Sequence, residues 1–102
     1  MEQEFEKPKV NGYTVYSKSG CPNCLKVKNL LNDSNAIVSI IDCDEYLIEC
    51  KEEFLKFIEE AAEKSVRMFP IVFFEGKYIG GYADTEYHNS CLKAFSNDGG
   101  FN

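Results

Sequence analysis

The sequence predicts an α/β fold in which one mixed four-stranded sheet carries helices on both faces, in the order β-α-β-α-β-β-α. Three observations point there. Four short segments rich in β-branched and aromatic residues are interspersed with stretches of helical periodicity. The first two strands are joined through a helix, so they run parallel by a right-handed crossover. The last two are separated only by Glu75-Gly76, a two-residue turn that makes them an antiparallel hairpin.

Each element has its own signal. Residues 1–12 read as a polar lead-in, interrupted by Pro8 and Gly12. Tyr13-Thr14-Val15-Tyr16 is the first strand, and Ser17-Lys18-Ser19-Gly20 is a loop. Pro22 sits just inside the following helix, where a missing N–H costs nothing. Leu25, Val27, Leu30 and Leu31 give that helix an apolar side through about residue 33. Ile37-Val38-Ser39-Ile40-Ile41 is nearly all apolar, as expected of a strand covered on both faces. Asp42 to Tyr46 is an acidic connection. Leu47, Cys50, Phe54, Phe57, Ile58 and Ala61 then recur at helical spacing, opposite Glu49, Glu52, Glu53, Glu59 and Glu60, which predicts one amphipathic helix with a solvated acidic face. Ile71-Val72-Phe73-Phe74 and Lys77-Tyr78-Ile79 form the hairpin, and Gly80-Gly81 ends it. Asp84 or Thr85 caps a last helix with Tyr87, Cys91, Leu92 and Phe95 on its inner side. Ser96 to Asn102 is polar and glycine-containing, so residues 97–102 are expected as a frayed tail on a single domain spanning 1–102.

Composition narrows the function. With 102 residues, 44% hydrophobic and 27% charged, the chain can build one core and is not largely disordered. No apolar run approaches the roughly 18 residues of a membrane span. A net charge of −6 argues against a general nucleic-acid binder and against docking on an anionic membrane. The acidic start, Met1 to Glu6, lacks the positive and apolar stretches of a secretory signal, so a cytoplasmic location is expected. Nothing in the pattern demands more than a monomer.

Of five cysteines, only Cys21 and Cys24 are closely spaced, as Cys21-Pro22-Asn23-Cys24. Cys21 falls at the first turn of the helix, near unpaired N–H groups and the positive end of the helix dipole. Both favour thiolate over thiol, and Lys18 adds a positive charge nearby. Cys24 lies three residues on, facing the same side, and is expected to be the more buried and less ionised of the two. That asymmetry suits thiol–disulfide exchange, with Cys21 attacking and Cys24 resolving. A C-x-x-C is also half of a zinc site, but Cys43, Cys50, His88 and Cys91 show no second tight pair, so no metal is expected. Cys43, Cys50 and Cys91 read as buried structural thiols, and His88 as a helix-face histidine. On residues alone, Pro70 reads as opening a strand in trans, and Asp84 is as readily a helix cap as a ligand group.

Three motifs together resemble the dithiol glutaredoxins: Lys18-x-x-Cys21-Pro22-x-Cys24, Arg67-Met68-Phe69-Pro70 before an apolar strand, and Ile79-Gly80-Gly81-x-x-Asp84. They stand in the family's order at about its spacing. The resemblance implies a thioredoxin-like three-layer fold, a cis peptide bond before Pro70, and glutathione as co-substrate. It implies that Phe69 pairs through its backbone with the glutathione peptide, that Gly81, Tyr82, Ala83 and Asp84 hold the γ-glutamyl end, and that Lys18 meets the glycyl carboxylate. The implied partners are glutathione and glutathionylated or disulfide-containing proteins. This sequence departs from the family pattern at Asn23, where an aromatic is common, at Met68-Phe69, where Thr-Val is usual, and at Tyr82, where a polar residue is usual. These departures bear on glutathione affinity and substrate preference rather than on the reaction. Two other readings share the cysteine pair. One is a thioredoxin-type reductase fed by a flavoenzyme, against which Lys18 and the Gly80-Gly81-x-x-Asp84 segment speak. The other is an iron–sulfur carrier in which Cys21 and glutathione hold a cluster between subunits, against which the stiffening Pro22 speaks.

Overall fold

Strand β1 (Tyr13–Ser17) is buried along its whole length because it lies inside a sheet of order β2-β1-β3-β4 with helices on both faces. The structure is a computed structural model that describes residues 4–100, with side chains described to Ala94. Alternate β1 residues point to opposite layers, Tyr13 and Val15 to one and Tyr16 to the other. Strand β2 (Val38–Asp42) runs parallel to β1, in register Tyr13 with Val38 and Ser17 with Asp42. Strand β3 (Ile71–Phe74) runs antiparallel to β1, with Tyr16 opposite Ile71. Glu75 and Gly76, both at positive φ, turn the chain tightly into β4 (Lys77–Gly80).

One layer is built by α1 (Pro22–Asn32) and α4 (Tyr82–Gly100), whose Val27, Leu31 and Leu92 pack with Tyr13, Val15 and Val72. The other is built by α2 (Asp44–Glu49) and α3 (Lys51–Ala62). There Phe54, Leu55 and Ile58 close over Tyr16, Ile41, Ile71 and Phe73. The register has a consequence for function. Tyr16 opposite Ile71, and Val72 opposite Gly80, bring the loop after β1, the segment before β3 and the end of β4 to one end of the sheet.

The strands follow in the expected order with helices between them, and several details differ. β2 is an edge strand, with Ile40 45% exposed and Ile37, just before it, 64% exposed. A short apolar run reads the same at an edge as in the middle of a sheet. The expected single helix from Leu47 is two helices. The chain breaks at Cys50, whose φ of −151° is not helical, and the acidic residues from Asp44 onward are themselves helical. The Asp42 side chain accepts the Asp44 N–H at 3.0 Å and so starts that first turn. Leu25 and Tyr87, expected inside, are exposed, and Thr85 and Asn89 are buried instead. The last helix begins at Tyr82, because the Gly81 carbonyl accepts both the N–H and the O–H of Thr85. Asp84 therefore lies within its first turn, and neither it nor Thr85 is the cap.

The lead-in is more than polar: Phe5 packs against Tyr46, Phe54 and Phe57, with ring centroids 4.9, 5.4 and 5.3 Å away. Helix α4 continues to Gly100 through most of the expected tail. Residues 1–3 of the lead-in and 101–102 of the tail lie outside the described residues, as does the side chain of Phe95.

Candidate active site

The site grows from the start of α1. Cys21 is the residue just before the helix, in extended conformation, and Pro22 occupies the first helical position. The first turn contains no acidic residue. The Cys24 N–H donates to Cys21 Sγ at 3.1 Å. A helix start that turns a free N–H onto a sulfur stabilises negative charge there. Cys21 and Cys24 are joined as a disulfide, with Cα atoms 5.2 Å apart. Cys24 is buried, 1% exposed, and Cys21 is half-buried, so the two sulfurs differ in access as expected.

Opposite Cys21 stands the segment before β3. The Phe69–Pro70 peptide bond is cis, and the Phe69 carbonyl oxygen lies 3.6 Å from Cys21 Sγ. Among the described residues, Phe69 makes no main-chain hydrogen bond, so its N–H and C=O are available to an extended ligand. The Phe69 ring stacks on Phe54, and the Lys18 ammonium sits 5.8 Å from its centroid. Lys18, Ser19, Gly20, Cys21, Pro22, Cys24, Leu25 and Lys28 line an open cleft of about 500 Å³ beside the disulfide.

The third wall is the β4–α4 junction. Gly81 lies against the Pro70 carbonyl, where an added Cβ would still fit at 3.6 Å. Gly80 has no such room: its φ is 132°, and a Cβ there would fall on the Asp84 carboxyl group. Asp84 thus packs back over Gly80 while staying exposed. Tyr78 is held above its ordinary pKa, first by burial and then by the Asp84 charge. Tyr82 is half-buried under the Lys26 ammonium, 5.6 Å from its ring centroid, and Ala83 is exposed.

Cys21, Cys24, Lys18, Phe69 and Pro70 are therefore gathered at one end of the sheet, with Gly81 beside Pro70 and Asp84 in the same turn. Sequence reasoning missed Asp44. Its carboxylate accepts the N–H of Ser19 at 2.9 Å and also the Ser19 hydroxyl, clamping the loop before Cys21. These Ser19 bonds, ahead of the charges of Lys18 and Lys28, hold its carboxyl below the usual value. The side chain of Phe69 was also missed, since only its backbone carried an expected role. His88, expected on the helix face, is half-buried, and its Nδ1 pairs with the Tyr13 hydroxyl at 2.7 Å, away from the cysteines. Among the described residues, no three His, Cys, Asp or Glu side chains cluster as a metal-binding group.

A mixed four-stranded sheet between helical layers, with a cysteine pair opening the first helix and a cis-proline facing it, is a thioredoxin-like fold. Residues 13–79 match the glutaredoxin family model, and the chain belongs to the glutaredoxin family. It is 31% identical over 67 residues to Glutaredoxin 1 of Rickettsia felis, a match covering 66% of this chain and 61% of that protein. The chain thus spans about three-fifths of the length of that relative. It superposes on the crystal structure of a wheat glutaredoxin with a TM-score of 0.63 at 35% identity, covering 76% of this chain and 70% of that one. A buckwheat glutaredoxin–glutathione complex superposes with a TM-score of 0.62 at 29% identity, covering 78% and 70%.

Proposed function

We propose that this chain is a glutathione-dependent thiol–disulfide oxidoreductase that acts on protein–glutathione mixed disulfides and on protein disulfides. The observation that carries the reading is the half-buried Cys21 sulfur at the start of α1, 3.6 Å from the carbonyl oxygen of Phe69, whose main chain makes no backbone–backbone hydrogen bond among the described residues. A tripeptide can add there as a short antiparallel strand and present its sulfur to Cys21. In this reading Lys18 takes the glycyl carboxylate, the Gly81–Asp84 turn takes the γ-glutamyl carboxylate, and the Asp84 carboxylate takes the ammonium. The solved buckwheat relative in complex with glutathione supports the same ligand.

The Cys21 thiolate attacks the glutathione sulfur of a mixed disulfide. A Cys21–glutathione bond forms, the old S–S bond breaks, and its electron pair leaves with the protein sulfur, which takes up a proton. A second glutathione thiolate attacks the Cys21-bound glutathione, releasing oxidised glutathione and regenerating Cys21. With a protein disulfide, the Cys21 thiolate attacks one sulfur and the other leaves as a thiolate. Cys24 then attacks the Cys21 sulfur, the Cys21–protein bond breaks and the second protein thiolate leaves. Two glutathiones reduce the resulting Cys21–Cys24 disulfide, releasing oxidised glutathione. The reading includes a monomer in the reducing cytoplasm, in keeping with three further cysteines that stay unpaired.

The test is glutathione-dependent reduction of a small mixed disulfide, coupled to glutathione reductase. Turnover is expected in the wild type, to survive in Cys24→Ser and to vanish in Cys21→Ser. A wild type without glutathione turnover that accepts electrons from thioredoxin reductase would overturn the reading.

A further inference from the structure

We propose that the outer face of α1 beside the disulfide is a docking surface for acidic polypeptide around the target cysteine, with an apolar residue next to it. This deepens the proposed function by naming its protein substrates, and it rests on Cys21 being the attacking sulfur. The glutathione reading uses Lys18, Phe69 and the Gly81–Asp84 turn. It leaves Leu25, Lys28 and Met68 without a role.

Charge argues for the occupant. Residues 18–32 contain Lys18, Lys26 and Lys28 and no carboxylate, in a chain whose net charge is −6. Among the described residues the ion pairs are Lys9–Glu6 and Arg67–Glu52, so none of these three lysines is neutralised by one. Asp44 is the carboxylate that feels Lys18 and Lys28, and it is already committed to Ser19. Lys18 and Lys28 line the cleft, so the redox pair opens beside a locally cationic wall on an acidic molecule, which steers acidic chains to the site and repels basic ones.

Exposure argues for a polypeptide rather than a small anion. Leu25 is 60% exposed on the cleft wall. Met68 is 82% exposed, one residue before the Phe69 carbonyl that touches Cys21. Exposed large apolar side chains on the cleft wall and next to the segment that faces Cys21 give an apolar residue of the target something to cover.

The test needs no glutathione, so it fails or succeeds separately from the glutathione reading. The reduced Cys24→Ser protein is mixed with two peptides, each bearing its cysteine as a thionitrobenzoate mixed disulfide. One has Leu and Glu flanking the cysteine, the other Leu and Lys. The Cys21 thiolate attacks the peptide sulfur, a Cys21–peptide disulfide forms, and coloured thionitrobenzoate leaves with the electron pair. At low salt the acidic peptide is expected to react about five- to tenfold faster, with the difference shrinking as salt rises. Adding Lys28→Glu is expected to erase that ratio, each peptide rate being divided by the same variant's rate with a small neutral mixed disulfide. Adding Leu25→Ser is expected to slow both peptides and leave the ratio intact. Equal rates for the two peptides, or a normalised ratio that survives Lys28→Glu, would overturn the proposal.

Discussion

Cys43 shows how one position in the fold sets the chemistry of a thiol. It is fully buried in the cluster formed by Tyr16, Ile41 and Phe54, and burial pushes its thiol up to about 12. A protonated, inaccessible sulfur is a poor nucleophile. Iodoacetamide on the native reduced protein at neutral pH should therefore alkylate Cys21 and spare Cys43 until denaturant is added. Early modification of Cys43, read by peptide mass mapping, would contradict the packing. Asp44 acts on the reactive sulfur indirectly, by holding Ser19 and with it the loop that leads to Cys21. Asp44→Ala should raise amide exchange at Ser19 by about tenfold without unfolding the chain, since one exposed hydrogen-bonded clamp is lost. The cysteine pair and Lys18 were legible in the sequence because their chemistry lies in residue type and spacing. Asp44 was not, since it reaches Ser19 across 25 positions of chain.

At the scale of elements, every strand and the order of helices could be read from periodicity and turn residues. Three features needed the assembled sheet. The apolar run 37–41 did not reveal that β2 is an edge. The regular spacing from Leu47 to Ala61 hid the break at Cys50, because α2 and α3 turn apolar residues to the same layer on either side of it. The inward face of α4 is set by Thr85 and Asn89, polar residues that a hydrophobic pattern passes over. The lead-in is the largest departure, since Phe5 joins the aromatic cluster over α3 and the Glu6 carbonyl accepts the Tyr16 hydroxyl at 2.6 Å. Phe5→Ala should cost about 2 kcal/mol in denaturant unfolding, less than for a fully buried phenylalanine. A change within experimental error would mean that the lead-in does not hold its place.

For the whole molecule, buried acids make stability fall at high pH. Burial raises Tyr13 to about 12 and Tyr16 further still, and Cys43 rises with them. The folded state keeps these protons after the unfolded chain has lost its own. Stability from this source is intact below the ordinary Cys value of 9.0 and falls as pH climbs toward about 12. The slope is about 1.4 kcal/mol per pH unit for each group that has ionised only in the unfolded chain. Thermal midpoints should therefore drop steeply above pH 9, the Cys43→Ala variant less steeply. A flat profile would contradict the burial of these groups.

The functional account converges on one sulfur taking up glutathione. The most direct measurement treats the reduced Cys24→Ser protein with oxidised glutathione and maps the product by mass spectrometry. One glutathione is expected, attached at Cys21 and removed by excess reduced glutathione. No adduct, or an adduct at Cys43, Cys50 or Cys91 with Cys21 left free, would contradict it.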